Sequence, residues 1–265
     1  RAFGKLTVMF VVDFSGSMAE ADPRSILSFF SCGRASAAMK ILAQLKKDSR
    51  PGDDIKVGFV SFGNNAKLES APKPLKDFSA NTLNFCGSEN ESTNYKAAFD
   101  KTREALLAVP GNKVVYFISD GLPTIGGNGP VDNTDSTGVH KAAGLTAAQA
   151  LRTTIENATL NAIFLDAGGA GADAQTYLTQ ITNDAARVKL ATEASQLADK
   201  IVELSIPKVT LKDNGLTAEL SAPGYPALPV KIESFKQDPA KPGTWIFKTE
   251  TIKLNAKPGQ TAHDR

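Results

Sequence analysis

Histidine and cysteine are scarce, with two of each in 265 residues: His140 and His263, Cys32 and Cys86. Two cysteines exclude a disulfide-rich scaffold and a four-cysteine zinc site. Two histidines leave little room for histidine-based metal sites or catalytic triads. Charge of one sign is also missing. Thirty Lys and Arg against twenty-eight Asp and Glu leave a formal net charge of +2, and no Lys/Arg run stands out, so nothing points to nucleic acid or a membrane surface as partner. No apolar stretch reaches the roughly 18 residues that a membrane span needs. There is no internal repeat and no low-complexity tract. Beginning at Arg1, with neither an initiator Met nor a signal peptide, the chain is expected to be a mature or excised piece. What remains is 42% hydrophobic and 22% charged, the composition of a globular protein long enough to bury a real core.

Four nearly continuous apolar runs, KLTVMFVVD (5–13), DIKVGFVSF (54–62), KVVYFISD (113–120) and TLNAIFLDAG (159–168), read as strands buried on both faces, as in a parallel sheet. Between and after them the spacing predicts helices over 35–47, 94–109, 139–157, 173–181 and 193–204; in the first, Ala38, Ile41, Leu42 and Leu45 share one stripe. Alternating strand and helix predicts a doubly wound, mostly parallel α/β sheet. In such sheets ligands bind beyond the carboxyl ends of the strands, and Asp13 and Asp120 both lie at such ends. After Ser205 the texture changes. Pro207, Pro223, Pro226, Pro229, Pro239, Pro242 and Pro258 punctuate short alternating segments with little helical signal. The chain is therefore divided into an α/β domain, 1–205, and a β-rich appendage or partial β-sandwich, 206–265, in which Trp245 and its aromatic neighbours are expected to build the core.

Asp13-Phe14-Ser15-Gly16-Ser17 follows the first buried strand directly and offers a carboxylate and two hydroxyls from one tight turn. Thr93, opening a helix, adds a third hydroxyl, and Asp120-Gly121 ends another buried strand with a second carboxylate. These are hard oxygen donors, suited to Mg²⁺, Ca²⁺ or Mn²⁺ rather than to zinc or copper. Taken singly, Asp13, Ser15 and Ser17 would pass for strand-end turn chemistry and Thr93 for a helix N-cap. Together, in an alternating α/β chain, they form a set.

At VVDFSGSM, STNY and ISDGLPT the chain resembles the von Willebrand factor A domain family, which includes the integrin I domains and carries a metal-ion-dependent adhesion site of pattern DxSxS, Thr, Asp. The resemblance spans about residues 5–205 and matches all five positions in order. It implies a Rossmann-like fold with strand order 3-2-1-4-5-6 and a short antiparallel edge strand. It also implies direct metal ligation by Ser15 and Ser17, and ligation by Asp13, Thr93 and Asp120 directly or through water. One divalent cation, Mg²⁺ foremost with Ca²⁺ or Mn²⁺ as alternatives, would keep a position open for the Asp or Glu of a protein or matrix partner. Family members can couple metal rearrangement to movement of the last helix, here 193–204.

The flanking residues have plainer readings. Glu89 and Glu91 are expected to be solvated loop charges, and His140 an exposed or capping residue. Asp132, Asn133 and Asp135 cluster in the long loop 125–138 without EF-hand spacing; turn chemistry is the expectation and a second calcium site the alternative. Cys32 lies in the segment 19–34 and Cys86 in the segment leading to Thr93. Both should reach the metal face, so an extracellular setting predicts a Cys32–Cys86 disulfide, against two free thiols.

The function expected is an extracellular adhesion or protein-interaction domain on a bacterial surface or pilus. The alternative is an intracellular subunit serving a separate AAA-type ATPase, since this chain has no P-loop. An enzyme is not expected. A haloacid-dehalogenase-like phosphatase needs a second acid where Ser15 stands, and Ser15 and Ser17 do not form the G-x-S-x-G of a serine hydrolase.

Overall fold

A computed structural model describes residues 3–25, 31–80, 83–89, 91–204, 206, 217–220, 228–237 and 245–249. Contacts divide the chain into Phe3–Pro207 and a second unit of Arg1–Ala2 with Lys208–Arg265.

The first unit is a six-stranded sheet of β1 (Lys5–Asp13), β2 (Asp54–Phe62), β3 (Ala66–Pro74), β4 (Asn112–Ser119), β5 (Ala158–Leu165) and β6 (Val188–Ala191). The order is β3-β2-β1-β4-β5-β6, with every pair parallel except β2 with β3. The expected doubly wound fold and strand order are thus those of the structure. β1 holds the centre because every residue after Lys5 is buried, which only a strand covered on both faces can satisfy. The edge strand β3 is not short: it has nine residues and register shifts against β2, and its mostly exposed or half-buried side chains suit an edge rather than a core position.

Helices cover both faces. On one, Met9, Val11, Val115, Phe117 and Phe164 pack with α3 (Tyr95–Leu106), α4 (Val139–Thr154) and α5 (Gly171–Thr182). Phe62 stacks on Phe117 at 5.2 Å and Tyr95 meets Phe117 edge-on at 4.6 Å. By strand alternation Val8, Phe10 and Val12 face the other side, where Phe10 stacks on Tyr116 and meets Phe85. There α2 (Gly33–Asp48) packs beside α6 (Leu197–Glu203), and the Tyr116 hydroxyl donates to the Leu204 carbonyl just after α6. A one-turn helix, α1 (Met18–Ala21), follows the first strand.

The helix ends shift from the sequence expectation for local reasons. α2 begins two residues early because the Asp22 carboxylate accepts from the Gly33 and Arg34 amides. α4 stops at Thr154, since Asn157 adopts a positive φ of 55° to turn the chain into β5. The 193–204 segment starts as a 3-10 turn over Ala194–Gln196 before α6. Thr93 is not the N-cap of α3; Asn94 is, accepting from the Ala97 amide at 3.0 Å.

The second unit contains an antiparallel sheet of β7 (Thr217–Leu220), β8 (Leu228–Gln237) and β9 (Trp245–Thr249), with β8 central. Trp245 begins β9, but its side chain, and with it the expected aromatic core, lies outside the described residues. Ile246 and Phe247 are exposed.

Candidate metal centre

β1 and β4 are neighbours, yet the chain leaves β1 towards β2 and leaves β4 towards β5. That reversal opens a crevice at their carboxyl ends, and there Asp13 ends β1 and Asp120 follows Ser119, the last residue of β4. Buried parallel strands extend their apolar runs until a polar residue meets the crevice, which is why both acids stand there, Asp13 one position and Asp120 two beyond the Val12–Ile118 pair.

Asp13 is fully buried. Its Oδ1 accepts from the Ser15 amide at 2.7 Å and its Oδ2 from the Ser119 hydroxyl at 2.5 Å. Ser15 is buried and Ser17 exposed; their hydroxyl oxygens lie 3.3 Å apart, and the Ser17 hydroxyl donates to Asp120 Oδ1 at 2.8 Å. Thr93 is buried, with its amide donating to the Thr124 hydroxyl and its carbonyl accepting from the Thr124 amide. The Thr93 Oγ1 would lie 3.5 Å from a Cβ built on Gly121, so this hydroxyl borders the Asp120-Gly121 turn. The turn is held from below by Tyr95, whose hydroxyl donates to the Gly121 carbonyl at 2.7 Å. Three loops from distant parts of the chain thus bring Asp13, Ser15, Ser17, Thr93 and Asp120 to one crevice.

Two carboxylates so placed oppose each other's ionisation. Burial raises the Asp13 carboxyl above its ordinary range, against the hydrogen bonds from Ser119 and Ser15. Asp120 is pushed up to about 7, first by burial and then by the charge of Asp13. A positive ion between them would relieve both effects. Among the described residues no group of three or more His, Cys, Asp or Glu side chains could hold a metal. An ion here would therefore rest on two carboxylates and neutral hydroxyls, an all-oxygen set that fits Mg²⁺, Ca²⁺ or Mn²⁺.

Several residues differ from their sequence reading. His140 is neither exposed nor a cap: it is buried, its Nδ1 accepts from the Gly127 amide at 3.0 Å, and its Nε2 meets the Pro130 carbonyl at 2.9 Å. It pins the 125–138 loop. Within that loop Asp132 accepts from the amides and hydroxyls of Thr134 and Ser136, and Asp135 accepts from the His140 and Lys141 amides at the start of α4, which is turn and cap chemistry. Glu91 is not freely solvated, because its carboxylate accepts from the Asn64 amide at 2.7 Å; Glu89 is exposed. The Cys32–Cys86 disulfide is formed.

Sequence reasoning missed Ser119, Arg34 and Asp22. A serine just before a strand-end aspartate could have been flagged, since alternation points it to the opposite face of the sheet from Asp120. Arg34 left no signal, because nothing in its neighbourhood announces a buried cation. Its Nε donates to Asp22 Oδ2 at 2.8 Å, with both side chains out of solvent.

Residues 8–122 match the von Willebrand factor type A domain, an interval that contains all five candidate ligands. No curated protein sequence matches the chain. Among solved structures, the pilus adhesin SpaC from Lactobacillus rhamnosus GG superposes with a TM-score of 0.56 at 15% identity, over 75% of this chain and 30% of SpaC. The PilB minor pilin from Streptococcus sanguinis gives 0.55 at 15% identity, over 77% of this chain and 60% of PilB. The vWF domain of the type V pili tip protein Mfa5 from Porphyromonas gingivalis gives 0.53 at 15% identity, over 79% of this chain and 99% of that domain. The chain spans less than two thirds of SpaC and PilB, and at this identity the likeness is one of fold.

Proposed function

The chain carries a von Willebrand factor type A domain over residues 8–122, and from this premise we propose that it is an adhesion or protein-interaction module that recognises an acidic group through a divalent cation. The observation that carries the reading is the convergence of Asp13, Ser15, Ser17 and Asp120, linked by hydrogen bonds, with the Thr93 hydroxyl at the rim of the same turn. Ser15, Ser17 and Thr93 would hold the ion with Asp13 and Asp120. A hard divalent ion with few anionic ligands supplies an open, electrophilic position that suits the carboxylate of a partner's Asp or Glu. The chain itself orients the donors: Ser119 fixes the Asp13 carboxylate, and Tyr95 fixes the turn after Asp120. In this reading the ion takes up all five donors, Asp120 included, so the site binds rather than turns over.

An extracellular or surface location, on a pilus among other settings, is supported by the disulfide, which cytosolic proteins seldom keep, and by the fold shared with pilus adhesins and tip proteins. The same disulfide bears against the intracellular ATPase-partner reading.

The test is calorimetric titration of the full chain with Mg²⁺, Ca²⁺ and Mn²⁺, then binding to an array of immobilised matrix proteins with and without EDTA. Saturable metal binding that Asp120→Ala abolishes without unfolding, and adhesion lost to both EDTA and that variant, is the expected result. Adhesion that survives both would refute the mechanism. Metal-dependent turnover of generic phosphate or ester substrates would refute the non-enzymatic reading.

A further inference from the structure

Arg34 is a fully buried cation on the first turn of α2 that the proposed binding chemistry does not use. Its Nη1 donates to two backbone carbonyls, those of Asp13 and Gly87, each at 2.7 Å. Nη2 donates to the Asp22 carbonyl at 3.2 Å and Nε to the Asp22 carboxylate at 2.8 Å. The guanidinium carbon lies 5.7 Å from the centroid of the Phe14 ring. The same ring closes on Gly87, where an added Cβ would come within 2.1 Å of it. One side chain therefore grips the DxSxS loop at consecutive residues, by the carbonyl of Asp13 and the face of Phe14. Its other hydrogen bonds tie that loop to the 85–87 segment and to Asp22. The Cys32–Cys86 disulfide closes the arrangement covalently, two residues before Arg34 and one before Gly87.

We propose that Arg34 is a positioning residue of the metal site, holding the Asp13–Ser17 loop in the conformation that presents Asp13, Ser15 and Ser17 to a cation, with Asp22 and the Cys32–Cys86 disulfide keeping it in place. The inference rests on reading the crevice as a divalent-cation centre. Its physical content is a sign. A buried positive charge beneath a cation site opposes the ion by Coulomb's law, and the Asp22 carboxylate paired with it offsets that effect, so if Arg34 acted through charge alone, removing both charges together would leave metal binding unchanged or tighter. If it acts by positioning, removing it lets the loop relax and metal binding weakens. An arginine can do this where a lysine cannot, because its planar fork satisfies several fixed carbonyls at once.

The experiment uses the full chain, Mn²⁺ alone as probe, and isothermal calorimetry in parallel with near-ultraviolet circular dichroism. The variants are Arg34→Lys, the double substitution Asp22→Asn with Arg34→Met, and Asp120→Ala as the control for the site. The double substitution removes both buried charges, so neither is left unpaired, and the amide oxygen introduced at position 22 still accepts from one of the Gly33 and Arg34 amides. Positioning predicts a folded double variant whose Mn²⁺ affinity falls tenfold or more, with Arg34→Lys intermediate. A folded double variant that binds Mn²⁺ within twofold of the wild type, or more tightly, overturns the proposal while leaving the metal reading intact. If the double variant does not fold, Arg34→Lys decides: a threefold or greater loss supports positioning and an unchanged affinity overturns it. A wild type without saturable Mn²⁺ binding, or one matched by Asp120→Ala, refutes the metal reading and this inference with it.

Discussion

Ser119 serves two carboxylates from one strand end: its hydroxyl bonds Asp13, and its main chain continues directly into Asp120. Because the Asp13 carboxyl is buried, losing that donor leaves a charged acceptor short of a partner. Ser119→Ala should therefore cost about 1–3 kcal/mol in EDTA, read as a lower urea midpoint with an unchanged slope. Asp132 shows the opposite electrostatic situation. Hydrogen bonds from Ser136 and Thr134 hold its carboxyl well below the usual carboxylate range. With the folded pKa below the unfolded one, its stabilising contribution is complete above the ordinary Asp value near ~4 and disappears as pH falls through the folded one. Carboxyl-carbon NMR should show Asp132 still ionised where exposed aspartates are protonated, and the double variant Thr134→Ala with Ser136→Ala should bring it back towards them. At this scale the five candidate ligands were legible because strand ends and DxSxS spacing are local properties. Arg34 was not, because its role depends on carbonyls far along the chain, such as that of Gly87, and His140 was not, because its burial follows from how the preceding loop folds back onto its ring.

Element boundaries follow from caps as much as from periodicity. The sequence stripe located α2, but its true start is set by Asp22, eleven residues before Gly33. Gly33 is needed there because an added Cβ would come within 2.2 Å of the Ala194 carbonyl oxygen. Gly33→Ala must push the 194–196 turn away from α2, and a loss of about 1–3 kcal/mol is expected in chemical denaturation. The disulfide acts between elements, joining the start of α2 to the segment before α3 over a separation of 54 residues. Closing a loop of that length restricts the unfolded chain, so Cys32→Ser with Cys86→Ser should lower stability by about 2–4 kcal/mol. Non-reducing and reducing mass analysis provides the control, with a two-proton difference expected in the wild type. The two cysteines face each other because the elements they border meet at the same end of the sheet.

At the scale of the whole molecule, contacts separate Phe3–Pro207 from the rest of the chain. A fragment ending at residue 207 is expected to keep the melting temperature and Mn²⁺ affinity of the α/β unit, measured by circular dichroism and calorimetry. A fragment that melts tens of degrees lower would show that the second unit stabilises the first. The near-neutral charge, which gives no support for a nucleic-acid or membrane-surface partner, says nothing about the crevice, where two acids meet among hydroxyls. Sequence by itself determined the fold class, the strand order through family resemblance, and the identity of the candidate ligands, because apolar runs, alternation and strand-end acids are written within a few residues of one another. Only the tertiary structure decided how those ligands are held. The Ser119 bond to Asp13, the Tyr95 bond to Gly121 and the Arg34 grip on Asp13 and Phe14 each join residues that are 20 or more positions apart. Hydrogen bonds of that kind depend on the relative placement of strands and helices, which no local pattern encodes.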